Sequence, residues 1–177
     1  MIVVADTSPI NYLVLIREIE ILPRLYGRVV IPQTVREELL RPVAPEIVRT
    51  WTAQAPAWLE ARTPANSADS SLSALDPGER DAIMLAAELR ADQLIVDDRE
   101  GRRLAEDRGI TVIGTLGVLK EAATLGLLDL RACVARLQTA LMPRPQSRHP
   151  RSHVSAIFLI FCAEHFSQRG LFIHPYE

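Results

Sequence analysis

Short apolar runs alternate with helix-like segments along most of this chain. Four of the runs have the length and the β-branched content of strands that are buried on both faces. These predicted strands span residues 2–5, 28–31, 93–96 and 110–113. Because helical segments separate them, the pattern predicts an α/β fold with a mainly parallel central sheet, covered by helices on both faces.

The helices predicted between and after these strands have recognisable start signals. Asp76 can act as an N-cap, Pro77 then occupies the first helical position, and Glu79 can complete a capping box. Ser8 followed by Pro9 predicts in the same way that Ser8 caps the first helix. The predicted helices span residues 9–17, 19–26, 33–41, 46–54, 77–90, 99–108, 115–125 and 129–141.

The length of 177 residues suits one domain with some additional chain. We predict a domain over residues 1–141 and an atypical C-terminal extension over residues 142–177. The extension begins rich in Pro, Arg and His and then turns apolar, which leaves open a partner-binding arm, a simple extension or a frameshifted end. Within the domain, residues 58–62 fit a short strand or a linker, and residues 66–73 fit a loop.

Composition and charge bear on the binding partners and the cellular compartment that we expect for the protein. A net charge of −2 gives no global signal for nucleic acid, although a local basic patch would suffice for binding. Two cysteines form no metal or redox pattern, which is consistent with a reducing cytoplasm. The longest apolar run, residues 154–163, has half of the roughly 20 residues that span a bilayer. We therefore expect a cytoplasmic protein without a signal peptide or membrane segment.

Acidic residues follow two of the predicted strands. Asp6 ends the first strand, and the pair Asp97 and Asp98 ends the third. Parallel strands end at the same side of a sheet, so these carboxylates converge if the two strands are neighbours. That edge is where open α/β sheets place their binding sites.

Two predicted helices add further acids. Glu38 lies about 60° around its helix from Val35, at the edge of the apolar seam, whereas Glu37 points away to solvent. Glu79 and Asp81 point to nearly opposite sides of their helix, so we expect one direct ligand from the two. The capping box gives Glu79 a structural role, and we therefore favour Asp81.

The candidate acids fit a hard divalent cation. Carboxylates packed within a few ångströms repel one another unless a cation neutralises them, and Mg²⁺ prefers such oxygen ligands. A site of this kind can activate water against a phosphodiester, whereas no Cys or His spacing indicates zinc. The alternative is that these are ordinary surface acids, since 22 of 177 residues are acidic. The set is Asp6, Glu38, Asp81 and Asp98, with Asp97 beside them.

The motifs over residues 4–10, 31–39, 78–83 and 95–99 occur in the order found in PIN domains. Over roughly residues 1–130 the chain resembles the bacterial subgroup of predicted nucleic-acid-binding PIN proteins, which is similar to the toxins of type II toxin–antitoxin pairs. The resemblance implies a PIN-like three-layer α/β/α fold. It also implies a metal-dependent endoribonuclease using Mg²⁺ or Mn²⁺, an RNA substrate, a cognate antitoxin protein and a homodimer.

The resemblance carries over to individual residues. It implies catalytic roles for Asp6, Glu38, Asp81 and Asp98. It implies metal ligation by Asp6, Asp81 and Asp98, with Asp97 as a possible substitute for Asp98. Ser8 and Glu79 match supporting positions.

The sequence also allows other interpretations of its arginines and of its function. Arg99, Arg102 and Arg103 share a helix face and could meet RNA phosphates, or they could form an ordinary solvated face. A catalytically silent PIN-like protein that binds nucleic acid or an antitoxin is the main alternative. A phosphatase of the haloacid dehalogenase type would need an Asp where Ser8 stands, and no Gly-rich turn supports a dinucleotide enzyme.

Overall fold

Five short parallel strands form the sheet at the centre of the computed structural model, which describes residues 1–65 and 69–141. Their order across the sheet is β3-β2-β1-β4-β5, and all four pairings are parallel. The strands are β1 (Val3–Ala5), β2 (Val29–Pro32), β3 (Leu59–Arg62), β4 (Gln93–Ile95) and β5 (Val112–Ile113). The predicted α/β class with a mainly parallel sheet is confirmed, whereas the predicted extension at 142–177 lies outside the described residues.

The helices follow the predicted pattern closely. A single 3₁₀ turn (Ser70–Leu72) lies in the segment that was expected to be a loop, of which residues 66–68 are outside the described part. The helices in the described ranges are α1 (Thr7–Leu15), α2 (Ile21–Tyr26), α3 (Gln33–Leu40), α4 (Glu46–Ala53), α5 (Pro77–Glu88), α6 (Arg99–Glu106), α7 (Thr115–Thr124) and α8 (Leu130–Leu141).

Successive strands are added first on one side of β1 and then on the other. From β1 it moves outward to β2 and β3, and it then crosses to the other side of β1 to form β4 and β5. Right-handed crossovers in opposite directions put their helices on opposite faces of a sheet. One face is accordingly packed by α5 and α6, where Val4, Val30 and Leu94 meet Ile83 and Ala105 in a buried apolar cluster. The result is the predicted three-layer α/β/α arrangement.

The strand order places a crevice at the carboxyl ends of β1 and β4. These adjacent strands begin the two halves of the sheet, so the connections that leave them diverge. In open α/β sheets, ligands bind outside the strand ends at such a point. The fold thus creates a binding location where the sequence carries Asp6, Asp97 and Asp98.

Two local expectations are resolved. Residues 59–62 form an edge strand, and its Glu60 pairs with Arg28 and Arg62, each at 2.6 Å. Charges on an edge strand discourage pairing with another chain. The prediction that Ser8 caps the first helix is wrong, because α1 begins at Thr7 and extended Asp6 is the N-cap. Pro9 is tolerated in the first turn, where its missing N–H has no intrahelical acceptor.

In the described part of the chain, none of the helices combines the length and apolarity needed to cross a membrane.

Leu94 gives a direct test of this core. It is fully buried on β4, between β1 and β5, and we expect Leu94→Ala to lower the free energy of unfolding by about 2–5 kcal/mol. Leu125→Ala, at a position 67% exposed, should change it by less than about 0.5 kcal/mol. Urea unfolding of both variants measures the difference, and equal losses would contradict the described burial.

Candidate carboxylate site at the end of the sheet

The backbone brings Asp6 to the end of β4. Ala5 pairs with Ile95 in the parallel ladder, and the backbone N–H of Asp6 continues that ladder by donating to the Ile95 carbonyl oxygen at 3.0 Å. Asp97 and Asp98 follow two and three residues after Ile95. The condition for the strand-end acids to converge, that β1 and β4 are neighbours, is therefore met.

Asp6 is the most deeply buried of these acids. It is 2% exposed, and its Oδ1 atom has no hydrogen-bond partner. Burial raises the pKa of the Asp6 carboxyl to about 7, with smaller upward contributions from the charges of Glu38 and Asp97. The backbone N–H groups of Thr7 and Ser8 oppose that rise, as expected at a helix N-terminus, although α1 has no side-chain capping hydrogen bond. The supporting role expected of Ser8 stays a prediction.

Glu38 is oriented toward the site, and Glu37 is not. The Thr7 hydroxyl donates to Glu38 Oε2 at 2.6 Å, while exposed Glu37 accepts a hydrogen bond from Gln33 at 3.1 Å. Gly78 on α5 lies against the same carboxylate, because a Cβ added there would be 2.8 Å from Glu38 Oε2. The predicted division between the two glutamates is borne out by these contacts.

The two acids of α5 have different surroundings. The pKa of the half-buried Glu79 is raised to about 8, mainly by burial and to a smaller extent by the nearby charges of Asp6, Asp98 and Asp76. Glu79 therefore lies within the electrostatic field of the strand-end acids. Asp81 is 7% exposed and accepts a hydrogen bond from the Thr34 hydroxyl at Oδ2, 3.0 Å away. Its Oδ1 is buried without a hydrogen-bond partner.

Asp97 and Asp98, which follow β4, have different hydrogen-bond partners. Both oxygens of Asp97 are bound by Thr115, which donates its backbone N–H to Oδ1 at 2.8 Å and its hydroxyl to Oδ2 at 2.6 Å. Burial raises the pKa of Asp97, whereas these bonds and the charge of Arg102 lower it. Asp98 caps α6 by accepting from the Gly101 N–H at Oδ1, 2.8 Å away. Asp98 therefore keeps one oxygen that accepts no hydrogen bond, whereas each oxygen of Asp97 accepts one.

The predicted arginine face is divided among different contacts. Arg103 pairs with Glu100 at 2.7 Å and with Asp107 at 2.8 Å. Arg102 donates to the Val96 carbonyl oxygen at 3.3 Å, beside Asp97. Arg99 is exposed at the start of α6. The three side chains thus do not form one face of unpaired charge, although RNA contacts by them remain a prediction.

Several residues of the site were not identified from the sequence. Thr7, Thr34 and Thr115 each donate to a site acid that lies on another element. Thr7 directly follows Asp6, and Thr34 lies one helical turn before Glu38, so their positions held a weak signal. The role of Gly78 depends on the contact between α3 and α5, and no local sequence pattern predicts that contact.

The donor set fits a hard divalent cation in its chemistry. Carboxylate oxygens suit Mg²⁺ or Mn²⁺. The buried Oδ1 atoms of Asp6 and Asp81 accept no hydrogen bond, although Asp81 Oδ1 lies 3.6 Å from Arg80 Nε in an ion pair. In the conformation described for residues 1–65 and 69–141, no three acids, histidines or cysteines lie close enough together to hold an ion. Binding would therefore require the carboxylates to draw together.

The chain is similar to known proteins in sequence and in structure. A family model described as a PIN domain matches residues 2–147. The chain is similar in structure to a PilT N-terminus domain protein from the hyperthermophilic archaeon Sulfolobus solfataricus, with 17% sequence identity and a TM-score of 0.47. That similarity covers 86% of this chain and 99% of the other. Among curated proteins, none matches.

The raised pKa values predict how stability depends on pH without metal. Asp6 has an ordinary pKa of 3.8 and a folded-state pKa of about 7, and Glu79 rises from 4.5 to about 8. Between these values the folded state binds more protons than the unfolded state, so its stability falls as pH increases from about 4 to 8.

Asp6→Asn removes one of these two contributions. At pH 8 in EDTA, we expect the variant to be more stable than the wild type by an amount of the order of 2–4 kcal/mol. At pH 4 the two proteins should be nearly equal. Urea unfolding at both pH values measures this, and a constant difference between the proteins would contradict the described burial of the Asp6 charge.

Proposed function

Because the chain belongs to the PIN domain family, we propose that it is a metal-dependent endoribonuclease that hydrolyses RNA phosphodiesters at the end of the sheet. The observation that carries the proposal is the electrostatic coupling of Asp6 with Glu38 and of Glu79 with Asp6 and Asp98. These carboxylates come from four segments of the chain and affect one another's pKa values, although no three of them in the described residues are close enough together to hold an ion. Such an arrangement is costly without a cation and useful with one.

We propose that Asp6, Asp81 and Asp98 hold Mg²⁺ or Mn²⁺, together with Glu38 or Glu79. Asp98 is preferred over Asp97 because both oxygens of Asp97 already accept hydrogen bonds from Thr115. When bound, a divalent ion supplies positive charge that favours ionised carboxylates and stabilises the charge developing on a phosphodiester under attack by water.

The protein's own groups govern the protons of this site. With pKa values of about 7 and 8, the carboxyls of Asp6 and Glu79 hold protons near neutral pH in the metal-free protein. Ion binding must displace those protons, because ligating carboxylates are ionised. Metal affinity and cleavage should consequently both increase between pH 6 and 8. Arg99, exposed at the start of α6 beside this edge, is the arginine best placed to attract an RNA phosphate.

The biological setting is proposed from the family resemblance. A toxin of a type II toxin–antitoxin pair would bind a cognate antitoxin, act on cellular RNA in the cytoplasm and form a homodimer. Co-expression with the protein encoded by the adjacent reading frame tests this setting. A stable complex that suppresses RNA cleavage supports it, and unimpeded cleavage in the presence of that protein contradicts it.

A catalytically silent PIN-like protein is the second candidate. It is favoured by the lack of a ready three-ligand group among the described residues. The two candidates separate in one assay, which compares cleavage of a mixed-sequence RNA with Mn²⁺ and with EDTA. RNA binding without cleavage would favour the silent protein.

Glu37 and Glu38, which are adjacent on α3, provide a test of the site with a matched control. We expect Glu38→Gln and Asp6→Asn to lower Mn²⁺-dependent cleavage by about 100-fold or more, because each removes charge from the cluster. Glu37→Gln, which changes the adjacent exposed residue, should retain wild-type cleavage. Circular dichroism checks that each variant is folded. Equal activity of the two glutamine variants would refute the assignment of Glu38.

Gly78 tests the close approach of α5. In Gly78→Ala the new Cβ would meet Glu38 Oε2 at 2.8 Å and Thr7 Oγ1 at 3.1 Å. The Glu38 carboxylate is the flexible partner and should move away, which we expect to lower cleavage about 10-fold or more. Stability should change little, because the higher helix propensity of alanine, worth roughly 1 kcal/mol over glycine, offsets the crowding against Glu38. Wild-type kcat in this variant would show that the position of Glu38 does not matter.

A further inference from the structure

Helices α3 and α5 meet along matched positions. Thr34 and Glu38 are four residues apart on one face of α3, and Gly78 and Asp81 are three apart on one face of α5. Thr34 contacts Asp81, and Glu38 lies against Gly78. Moving forward along α3 thus means moving backward along α5, so the helices run in opposite directions at their contact. Fixing Thr34 against Asp81 therefore also fixes the next turn, where Glu38 stands.

The Thr34 hydroxyl also determines which oxygen of Asp81 is free. Asp81 Oδ2 accepts the hydrogen bond from Thr34 at 3.0 Å. Asp81 Oδ1 is buried and accepts no hydrogen bond, and it forms an ion pair with Arg80, whose Nε lies 3.6 Å away. That separation is too long for a hydrogen bond. The carboxylate is thus held by hydrogen bonding at one oxygen only, and a cation that binds the other oxygen would replace Arg80 there.

We propose that Thr34 is a positioning residue for the carboxylate site, holding Asp81 by Oδ2 so that Oδ1 can receive a divalent ion and holding α3 so that Glu38 is in place. The inference rests on the proposed function. A hydroxyl suits this task because it donates one hydrogen bond and carries no charge. It orients the carboxylate without adding a positive charge of its own.

The same arrangement recurs at two other acids. Thr7 of α1 donates to Glu38 of α3 at 2.6 Å, and Thr115 of α7 donates to Asp97 after β4 at 2.6 Å. Partners that orient metal ligands in this way typically account for 10–100-fold in metal affinity or activity. Thr34 is the informative member, because its acid retains a buried oxygen that accepts no hydrogen bond.

The test compares three variants of the full chain. Thr34→Val keeps the shape and removes the hydroxyl, and Thr34→Ser restores the donor. Thr124→Val is the matched control, since the Thr124 hydroxyl bonds only the Lys120 carbonyl of its own helix, at 2.9 Å. We expect Thr34→Val to raise the Mn²⁺ dissociation constant 10–100-fold by calorimetric titration. The serine and control variants should bind Mn²⁺ as the wild type does.

Cleavage kinetics add a second readout. Thr34→Val should lower kcat while leaving KM for RNA nearly unchanged, because Thr34 is placed to contact Asp81 and not the substrate. Wild-type Mn²⁺ affinity in Thr34→Val, or loss of affinity that serine does not restore, overturns the proposal. A matching loss in Thr124→Val would assign the effect to general destabilisation and would overturn it as well.

A metal-free measurement separates this inference from the proposed function. In EDTA, the free energies of unfolding of Thr34→Val, Asp81→Asn and the double variant should not be additive, because the two side chains share one hydrogen bond. Additive effects would overturn the positioning role. A wild-type chain that neither binds Mn²⁺ nor cleaves RNA would instead overturn the proposed function, and the role of Thr34 in orienting Asp81 would be decided by this cycle alone.

Discussion

The burial of carboxylates that lie near one another is the constraint on which the rest of this structure depends. Adjacent parallel strands β1 and β4 deliver Asp6 and the Asp97–Asp98 pair to one edge of the sheet, and α5 adds Glu79 to the same electrostatic field. Removing these groups from water disfavours their charged forms, and their proximity adds to that cost. Without a cation the protein lowers the cost by keeping protons on Asp6 and Glu79 near neutral pH. The stability of the hydrophobic core must offset the free-energy cost that remains.

The surrounding elements orient these acids mainly with neutral donors. Hydroxyl or backbone N–H donors bind Glu38, Asp81, Asp97 and Asp98, while Arg80 and Arg102 place positive charge beside Asp81 and Asp97. Asp97 accepts a hydrogen bond from Thr115 at each oxygen and joins the end of β4 to α7, whereas Asp81 retains a buried oxygen that accepts no hydrogen bond. The close approach of Gly78 to Glu38 shows that space is as important as hydrogen bonding. Charge is therefore concentrated at the strand ends, and the hydrogen bonds that orient these carboxylates come from neutral groups.

The sequence predicted most of what depends on periodicity and little of what depends on contacts between helices. Apolar runs located four of the five strands, and alternation with helices predicted the parallel sheet. Helical angles separated Glu38 from Glu37. The start of α1 was misplaced because Ser8-Pro9 is a strong local signal, while the strand hydrogen bond that extends to Asp6 is not local. For the same reason the division of roles between Asp97 and Asp98 became visible only once Thr115 was seen beside them.

Calorimetric titration of the wild-type chain with Mn²⁺ at pH 7, repeated in two buffers of different ionisation enthalpy, tests the central claim most directly. The difference between the two heats counts the protons that leave the protein when the ion binds. Buried carboxyls with pKa values of about 7 and 8 predict saturable binding with release of roughly one proton or more per ion. Absence of binding, or binding without proton release, would contradict the account of a carboxylate cluster that a divalent cation completes.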